Sequence, residues 1–217
     1  MKFDHVCVEL KNYEKIVIDG KRHYMTPNGY YPSITTILSK TSDKSYLQEW
    51  RNKIGDAEAD RITNNSAKRG TNLHTMCEDY LNNIPISCKM PDALEMYYSI
   101  RPILNRINNI HCQEACLYSD TLKIAGSVDC IGEFDGILSV IDFKNSRRIK
   151  TEDHIYDYFL QETFYALAYQ ELTGVVVKQI VTIIAVEDDM PQIFIKPLRP
   201  YIKPLIDRKK LFLNKSA

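Results

Sequence analysis

The sequence predicts an α/β fold with a mixed central β-sheet flanked by helices. Three observations carry this. Helical spacing runs through most of residues 32–108. The period then shortens to two over three consecutive runs, 114–118, 126–134 and 137–143. A helical stretch at 153–172 separates the third run from an apolar, β-branched segment at 175–186. Helices first, then strands on both sides of a further helix, fit a layered α/β sheet.

The elements follow in order. Residues 1–31 read as short strands joined by turns at Asp19-Gly20 and Asn28-Gly29, an N-terminal β extension. Pro32 or Ser33 starts a helix through Leu38. Residues 43–62 are charged and helical, with Leu47, Trp50 and Ile54 at helical spacing and Trp50 expected to be buried. A separate helix is predicted from Thr71 to Leu81, with Thr71 as its cap and Gly70 giving room for a close backbone approach. A loop with Pro85 and Pro91 leads to a helix over 92–108. Asp135-Gly136 makes a tight hairpin between the second and third strands. Gly174 ends the helix that begins near Asp153. Residues 175–186 form a buried strand, Gln192–Ile195 pairs beside it, and a basic helix over 200–213 closes the chain. The whole, 1–217, reads as a single domain whose core sheet lies within 110–196.

Composition narrows the function classes. Lys+Arg and Asp+Glu stand at 28 each, so net charge gives no support to a purely electrostatic nucleic-acid binder, and any basic patch is local. The N-terminus has neither a secretory apolar core nor the character of a transit peptide. No apolar stretch approaches the roughly 20 residues a bilayer demands. The expectation is a cytoplasmic protein with no membrane partner. Six cysteines occur without a C-x-x-C pair, and reduced thiols are the default. Cys112 and Cys116 are the closest pair, and burial on one strand face is their better reading than metal binding.

The chemistry concentrates between Gly126 and Lys144. Asp129 lies in one strand and Asp142 at the end of its hairpin partner, 13 residues on. Antiparallel pairing across Asp135-Gly136 sets 129 and 142 roughly opposite each other. Alternation puts Asp142 and Lys144 on one face. Two close carboxylates repel unless a cation lies between them. Hard oxygen ligands favour Mg²⁺ or Mn²⁺. Such an ion suits phosphodiester hydrolysis, where charge must be stabilised and a water activated. Lys144 is placed to orient or deprotonate that water, or to hold the phosphate. Alternatively, the acids are strand-end residues and Lys144 their surface partner, since D-x-K triplets are common. The apolar strand Ile137–Ile141 and the preceding Gly126-x-x-Asp129 make the pattern more specific.

With these residues the chain resembles the PD-(D/E)XK nuclease superfamily, in particular its RecB-like exonuclease branch, and there the phage and mitochondrial genome maintenance exonucleases. Arg69-Gly70-Thr71-x-x-His74-x-x-x-Glu78, Gly126-Ser-Val-Asp129, Ile141-Asp142-Phe143-Lys144-Asn145-Ser146 and Gln161-x-x-x-Tyr165 stand in the order of that branch's motifs. The earlier Pro32-Ser33-Ile-Thr35-Thr-Ile-Leu is similar to its P-S-V-T-T-I-L. Asn145 stands where Thr is usual, which puts one phosphate contact in doubt. The resemblance spans roughly residues 22–190.

The resemblance implies a restriction-endonuclease-like core and a catalytic sheet. Asp129, Asp142, the Phe143 carbonyl and His74 would ligate the metal, with Glu78 and Glu114 as further candidates. Lys144 would be the catalytic lysine, and Gln161 and Tyr165 would organise the site and touch the DNA backbone. Arg69, Thr71, Ser33, Thr35, Ser146, Arg147, Arg148 and Lys150 are the candidate DNA contacts. His74 and Glu78 share a helix face, as do Gln161 and Tyr165. A lone helical histidine is more often structural, however, and Gln161 with Tyr165 also fits a polar helix edge. Arg208-Lys209-Lys210 reads as a second patch or a solvated face. Tyr30 and Tyr31 are candidates for stacking on unpaired bases. No cysteine follows Cys130, which argues against the iron–sulfur cluster of some RecB-like nucleases.

The expected activity is a Mg²⁺-dependent DNA exonuclease acting on single strands or free ends in replication, recombination or repair. The resemblance implies a phage protein working in the bacterial host cytoplasm beside a helicase, recombinase or single-strand-binding protein. A restriction or junction endonuclease is the second reading. The third is a non-catalytic DNA-binding module, against which Asp129, Asp142 and Lys144 all speak.

Overall fold

The computed structural model describes residues 2–215. Two sheets organise it. β1 (Lys15–Ile18), β2 (Lys21–Thr26) and β3 (Gly29–Pro32) form a small antiparallel sheet. Asp19 and Gly20 both take positive φ, 50° and 68°, as a two-residue hairpin requires. Among the described residues before Lys15 there is no strand beyond a bridge from His5 to Ile110.

The second sheet has the order β4 (Ile107–Ser119), β5 (Ile124–Phe134), β6 (Ile137–Ser146), β7 (Gln179–Val186), β8 (Gln192–Pro197). β6 and β7 are parallel and the other pairs antiparallel. The sheet is mixed and flanked by helices, as the change of period predicts. Asp135 and Gly136 form the β5–β6 hairpin at φ 51° and 77°. β7 begins at Gln179 rather than 175, because Gln179 pairs with Ser139 and Val175 and Val176 stay exposed.

Two helices cover one face of this sheet. α3 (Asp56–Leu81) and α4 (Pro91–Leu104) bury Leu73, Met76, Cys77, Met96, Tyr97 and Ile100 against Cys130, Ile141, Phe143, Val181 and Ile183. On the other face lies α5 (Tyr156–Thr173), preceded by a single 3₁₀ turn (Asp153–Ile155). α1 (Ile34–Thr41) and α6 (Arg199–Asn214) pack beside α5. α5 is therefore buried on most sides, and its apolar residues do not form a single stripe. Gly174 caps it at φ 75°, its N–H on the Gln170 carbonyl.

Four expectations fail, the last being the shared face of Cys112 and Cys116. The predicted break before Thr71 does not exist: α3 runs unbroken for 26 residues and Thr71 is interior, its hydroxyl on the Ala67 carbonyl. Packing against the sheet outweighs the weak helix propensities of Asn64, Asn65, Ser66 and Gly70. The helix predicted over 92–108 stops at Leu104, because Ile107 already pairs with Phe134. α2 (Ser45–Ile54) buries no residue, and Trp50 is only half-buried. All six cysteines are free, and Cys112 and Cys116 pack into different apolar clusters.

Candidate metal centre and lysine site

The hairpin delivers the acids. Cys130 pairs with Ile141, so the next positions outward, Asp129 and Asp142, stand side by side at the end of the β5–β6 ladder. The Phe143 N–H donates to Asp129 Oδ2 at 2.8 Å, which fixes that carboxylate on the neighbouring strand. Asp129 and Asp142 are both buried, Asp142 at 1% exposure.

α3 brings the third group. His74 Nδ1 lies 3.5 Å from Asp129 Oδ2 and 3.8 Å from Glu114 Oε1. Ligand atoms of His74, Glu114 and Asp129 all fall within 4.8 Å of one another. Burial pulls the His74 pKa down, but Asp129 and Glu114 outweigh it and the net shift is upward. Glu114 reaches this place through its backbone. It stands level with Asp129, between the pairs Gln113–Cys130 and Ala115–Val128, with φ at 47°. A left-handed residue inside a strand breaks the alternation of side chains, and it costs a non-glycine residue on the order of 1 kcal/mol. A recess of about 380 Å³ opens here, lined by Gly70, Thr71, His74, Thr75, Glu78 and Glu114. Burial first, then Glu114, raises the Glu78 carboxyl above its usual range.

The other half of the rim is closed. Lys144 Nζ pairs with Asp142 Oδ2, and its side chain is 19% exposed. Neither Asp142 oxygen has a hydrogen bond of ordinary geometry. Burial pushes the Asp142 carboxyl up to about 6, against the pull of Lys144. For Lys144 burial acts downward, but Asp142 and Asp129 more than offset it and the ammonium is held charged. Behind this pair lies Glu162, fully buried on α5. It accepts a hydrogen bond from Thr182, the residue beside Asp142 in the parallel β6–β7 register, and its other oxygen has no partner among the described residues. Burial, then Asp142, drives the Glu162 pKa well upward.

The remaining predicted residues separate into groups. Gln161 Nε2 donates to Tyr165 Oη at 3.2 Å. Tyr165 is 1% exposed and has no surface with which to touch a strand, which corrects its expected DNA contact. Its ring fills the space over Gly126, where a Cβ would lie 2.8 Å from Tyr165 Cε1 and 3.0 Å from Ile34 Cγ2. The glycine of Gly126-x-x-Asp129 is thus a packing requirement.

Gly70 plays the same part on α3, since a Cβ there would meet Asn145 Oδ1 at 3.0 Å. Asn145 Nδ2 donates to the Ser66 carbonyl at 3.1 Å, so this departure from the usual Thr ties the end of β6 to α3. Arg69 is buried, with Nη1 on Glu187 Oε1 at 2.7 Å, and Arg147 takes the other oxygen at 3.3 Å. Arg69 lines a separate recess with Arg61, Asn65 and Arg147, away from that of His74. The Ser146 hydroxyl closes a turn with Arg148, and that of buried Ser33 bonds Thr35. Thr35, Arg147 and Arg148 are exposed, and Lys150 is half-buried. Arg208 braces Asp157, Thr41 and Ser42. Tyr31 is buried and Tyr30 exposed.

Comparison with known proteins agrees with the motifs. Residues 89–192 match the PD-(D/E)XK nuclease superfamily. That segment holds Asp129, Asp142, Lys144 and Gln161, while the His74 helix lies outside it. Three relatives are named mitochondrial genome maintenance exonuclease 1. The human protein is 27% identical over 143 residues, covering 61% of this chain and 40% of its own length. The mouse protein is 29% identical over 129 residues, covering 55% and 38%. That of Xenopus tropicalis is 29% identical over 145 residues, covering 63% and 41%. The chain thus spans about two-fifths of these relatives. A solved Eubacterium rectale structure, provisionally named an exonuclease, aligns over 68% of this chain and 66% of its own at 12% identity and TM-score 0.49. No helix among the described residues is long and apolar enough to cross a membrane.

Sequence reasoning passed over Glu162 and Tyr158. Their signal was present: Tyr158, Glu162, Tyr165 and Tyr169 recur at helical spacing, and a glutamate in that series has no solvent-facing role.

Proposed function

We propose that this chain is a metal-dependent deoxyribonuclease that hydrolyses phosphodiester bonds as an exonuclease, on single-stranded DNA or at DNA ends. One observation carries the reading: the His74–Glu114–Asp129 cluster stands beside the Asp142–Lys144 pair at a single sheet rim. The superfamily match and the relatives' name support it.

The donor set fits a hard divalent cation, Mg²⁺ or Mn²⁺. Two carboxylates and an imidazole converge in a half-open recess, and buried Asp142 stands beside them with Oδ2 on Lys144 and Oδ1 without a hydrogen bond among the described residues. His74, Glu114 and Asp129 would hold the ion, with Asp142 joining from the adjoining strand, and Glu78 at the edge of the recess. Bound there, such an ion would supply charge stabilisation and an acidified water. The chain's own groups do the rest. The ammonium of Lys144 meets the phosphate or orients the attacking water. Asp142 keeps that ammonium charged. The exposed Thr35, Thr71, Arg147 and Arg148 contact DNA phosphates, which position a strand without reading its bases.

The test uses end-labelled linear and covalently closed circular single-stranded DNA, each with Mg²⁺ or EDTA, for the parent protein and Lys144→Ala. Metal-dependent loss of the linear strand alone, abolished by the substitution, is the expected result. Cutting of the circle makes the protein an endonuclease. Binding without cleavage in any metal leaves a DNA-binding module.

A further inference from the structure

Among the described residues Lys144 has one carboxylate partner, and that partner has a second task. Asp142 is both the lysine's counter-ion and a candidate ligand, so a cation at the rim draws on the same oxygens. A lysine carries its ammonium on a flexible four-carbon stem. Held by Asp142 alone, it would lose its place whenever Asp142 turned toward a cation.

A second contact exists. The Lys144 ammonium lies 5.0 Å from the centroid of the Tyr158 ring. Tyr158 sits on α5 one turn before Glu162 and two before Tyr165, on the face that packs toward β6. Its ring is half-buried, and its hydroxyl makes no hydrogen bond to any described residue, so the contact with Lys144 runs through the ring. The face of an aromatic ring attracts an ammonium, more strongly where water is excluded. It offers no lone pair that a hard divalent cation prefers. The ring therefore holds the lysine without competing for the ion.

We propose that Tyr158 is a positioning residue that fixes the Lys144 ammonium at the sheet rim independently of Asp142. As a statement about catalysis this rests on the nuclease reading. The contact itself can be read without substrate.

The experiment labels lysine Cε with ¹³C and records the Lys144 signal, identified by its absence in Lys144→Met. A ring close to the ammonium shifts the adjacent methylene protons upfield. That shift is expected in the parent protein and in Tyr158→Phe, and should vanish in Tyr158→Leu and Tyr158→Met. The other lysine signals report whether each variant folds. In single-turnover cleavage, Tyr158→Leu is expected to slow the chemical step about tenfold at unchanged DNA affinity, with Tyr158→Phe within about twofold of the parent. A Lys144 signal that the folded Leu and Met variants do not move overturns the proposal. So does a Phe variant as slow as Leu, which would assign the role to the hydroxyl. Absence of cleavage by the parent protein, with the shift pattern intact, upholds the contact and sinks the nuclease reading instead.

Discussion

The two halves of the rim solve one electrostatic problem in opposite ways. On the α3 side, His74 and Glu114 keep 30% and 39% of their side-chain surface, and their charges stay partly solvated beside an open recess. On the α5 side, Asp142 and Glu162 are taken out of water, and Lys144, 19% exposed, does the neutralising from inside the fold. Burying an unpaired carboxylate costs several kcal/mol, so the closed half tolerates Asp142 only with Lys144 beside it. In the open half that place falls to His74, whose imidazole is itself a candidate ligand. An external cation can therefore enter on one side, while the lysine is kept charged on the other.

The comparison breaks most visibly at Lys144. Lys144→Ala should lower the single-turnover cleavage rate by about 10²–10⁴-fold, the range for a positioned proton-transfer or charge-stabilising group. Because it also strips Asp142 of its counter-ion, the same variant should unfold earlier in urea without metal, and added Mn²⁺ should restore more stability to it than to the parent. Equal metal stabilisation in the two proteins would mean that the halves are not electrically linked.

Gly126→Ala probes the packing that holds the closed half together. Its Cβ would sit inside van der Waals range of Tyr165 and Ile34, both fully buried, so the ring must move. Overpacking of this kind costs about 1–3 kcal/mol. Urea unfolding is the measurement, and a neutral result would show that Tyr165 has room to turn.

Much of this was legible beforehand, and the reason is period. The alternation at 126–134 and 137–143, with Asp135-Gly136 between, sets the register that places Asp129 beside Asp142, and alternation alone puts Lys144 on the same side as Asp142. Glu114 is the counter-example. Nothing in Gln113-Glu114-Ala115 signals a left-handed residue inside a strand, because glutamate is not a residue that favours that region. Its carboxylate joins His74 only because the backbone is forced there by its long-range partner strand. For Asn145 the sequence raised a doubt about a phosphate contact but did not show what the amide does instead. Its amide answers a helix carbonyl 79 positions away, a relation no local pattern carries. Arg69 looked like a DNA contact until Glu187, far along the chain, claimed it.

That strain offers a finer test of the open half. Glu114→Gly should weaken Mn²⁺ binding as much as Glu114→Ala does, and each by at least the roughly 10–100-fold typical of losing even a supporting metal-site group. The two should part in stability. Glycine accepts φ 47° without penalty and alanine does not, so without metal the glycine variant should be the more stable by about 1 kcal/mol. Calorimetric titration and urea unfolding separate the two effects, and equal stabilities would mean that position 114 relaxes once its carboxylate is gone.

The smallest effect belongs to Glu162, and its sign follows from burial. Its carboxyl holds its proton well above the usual carboxylate range in the folded protein, mainly because ionisation there would be desolvated. The unfolded chain gives that proton up near pH 4–5, as ordinary glutamates do. Between those limits the folded state binds more protons, so rising pH costs stability across the window. Asp142 acts in the same direction but only up to its value of about 6. Glu162→Gln keeps the Thr182 hydrogen bond through its amide oxygen and removes the part of the slope that Glu162 contributes. The melting temperature of the variant in EDTA should therefore pull ahead of the parent's as pH rises from 5 to 8. A gap of about 2–4 °C corresponds to roughly 1 kcal/mol for a domain of this size. Asp142 titrates in the parent and in the variant alike, so the gap that opens between them belongs to Glu162. A gap that stays constant across the whole range would mean that Glu162 ionises alike folded and unfolded, and that the closed half is wetter than its packing implies.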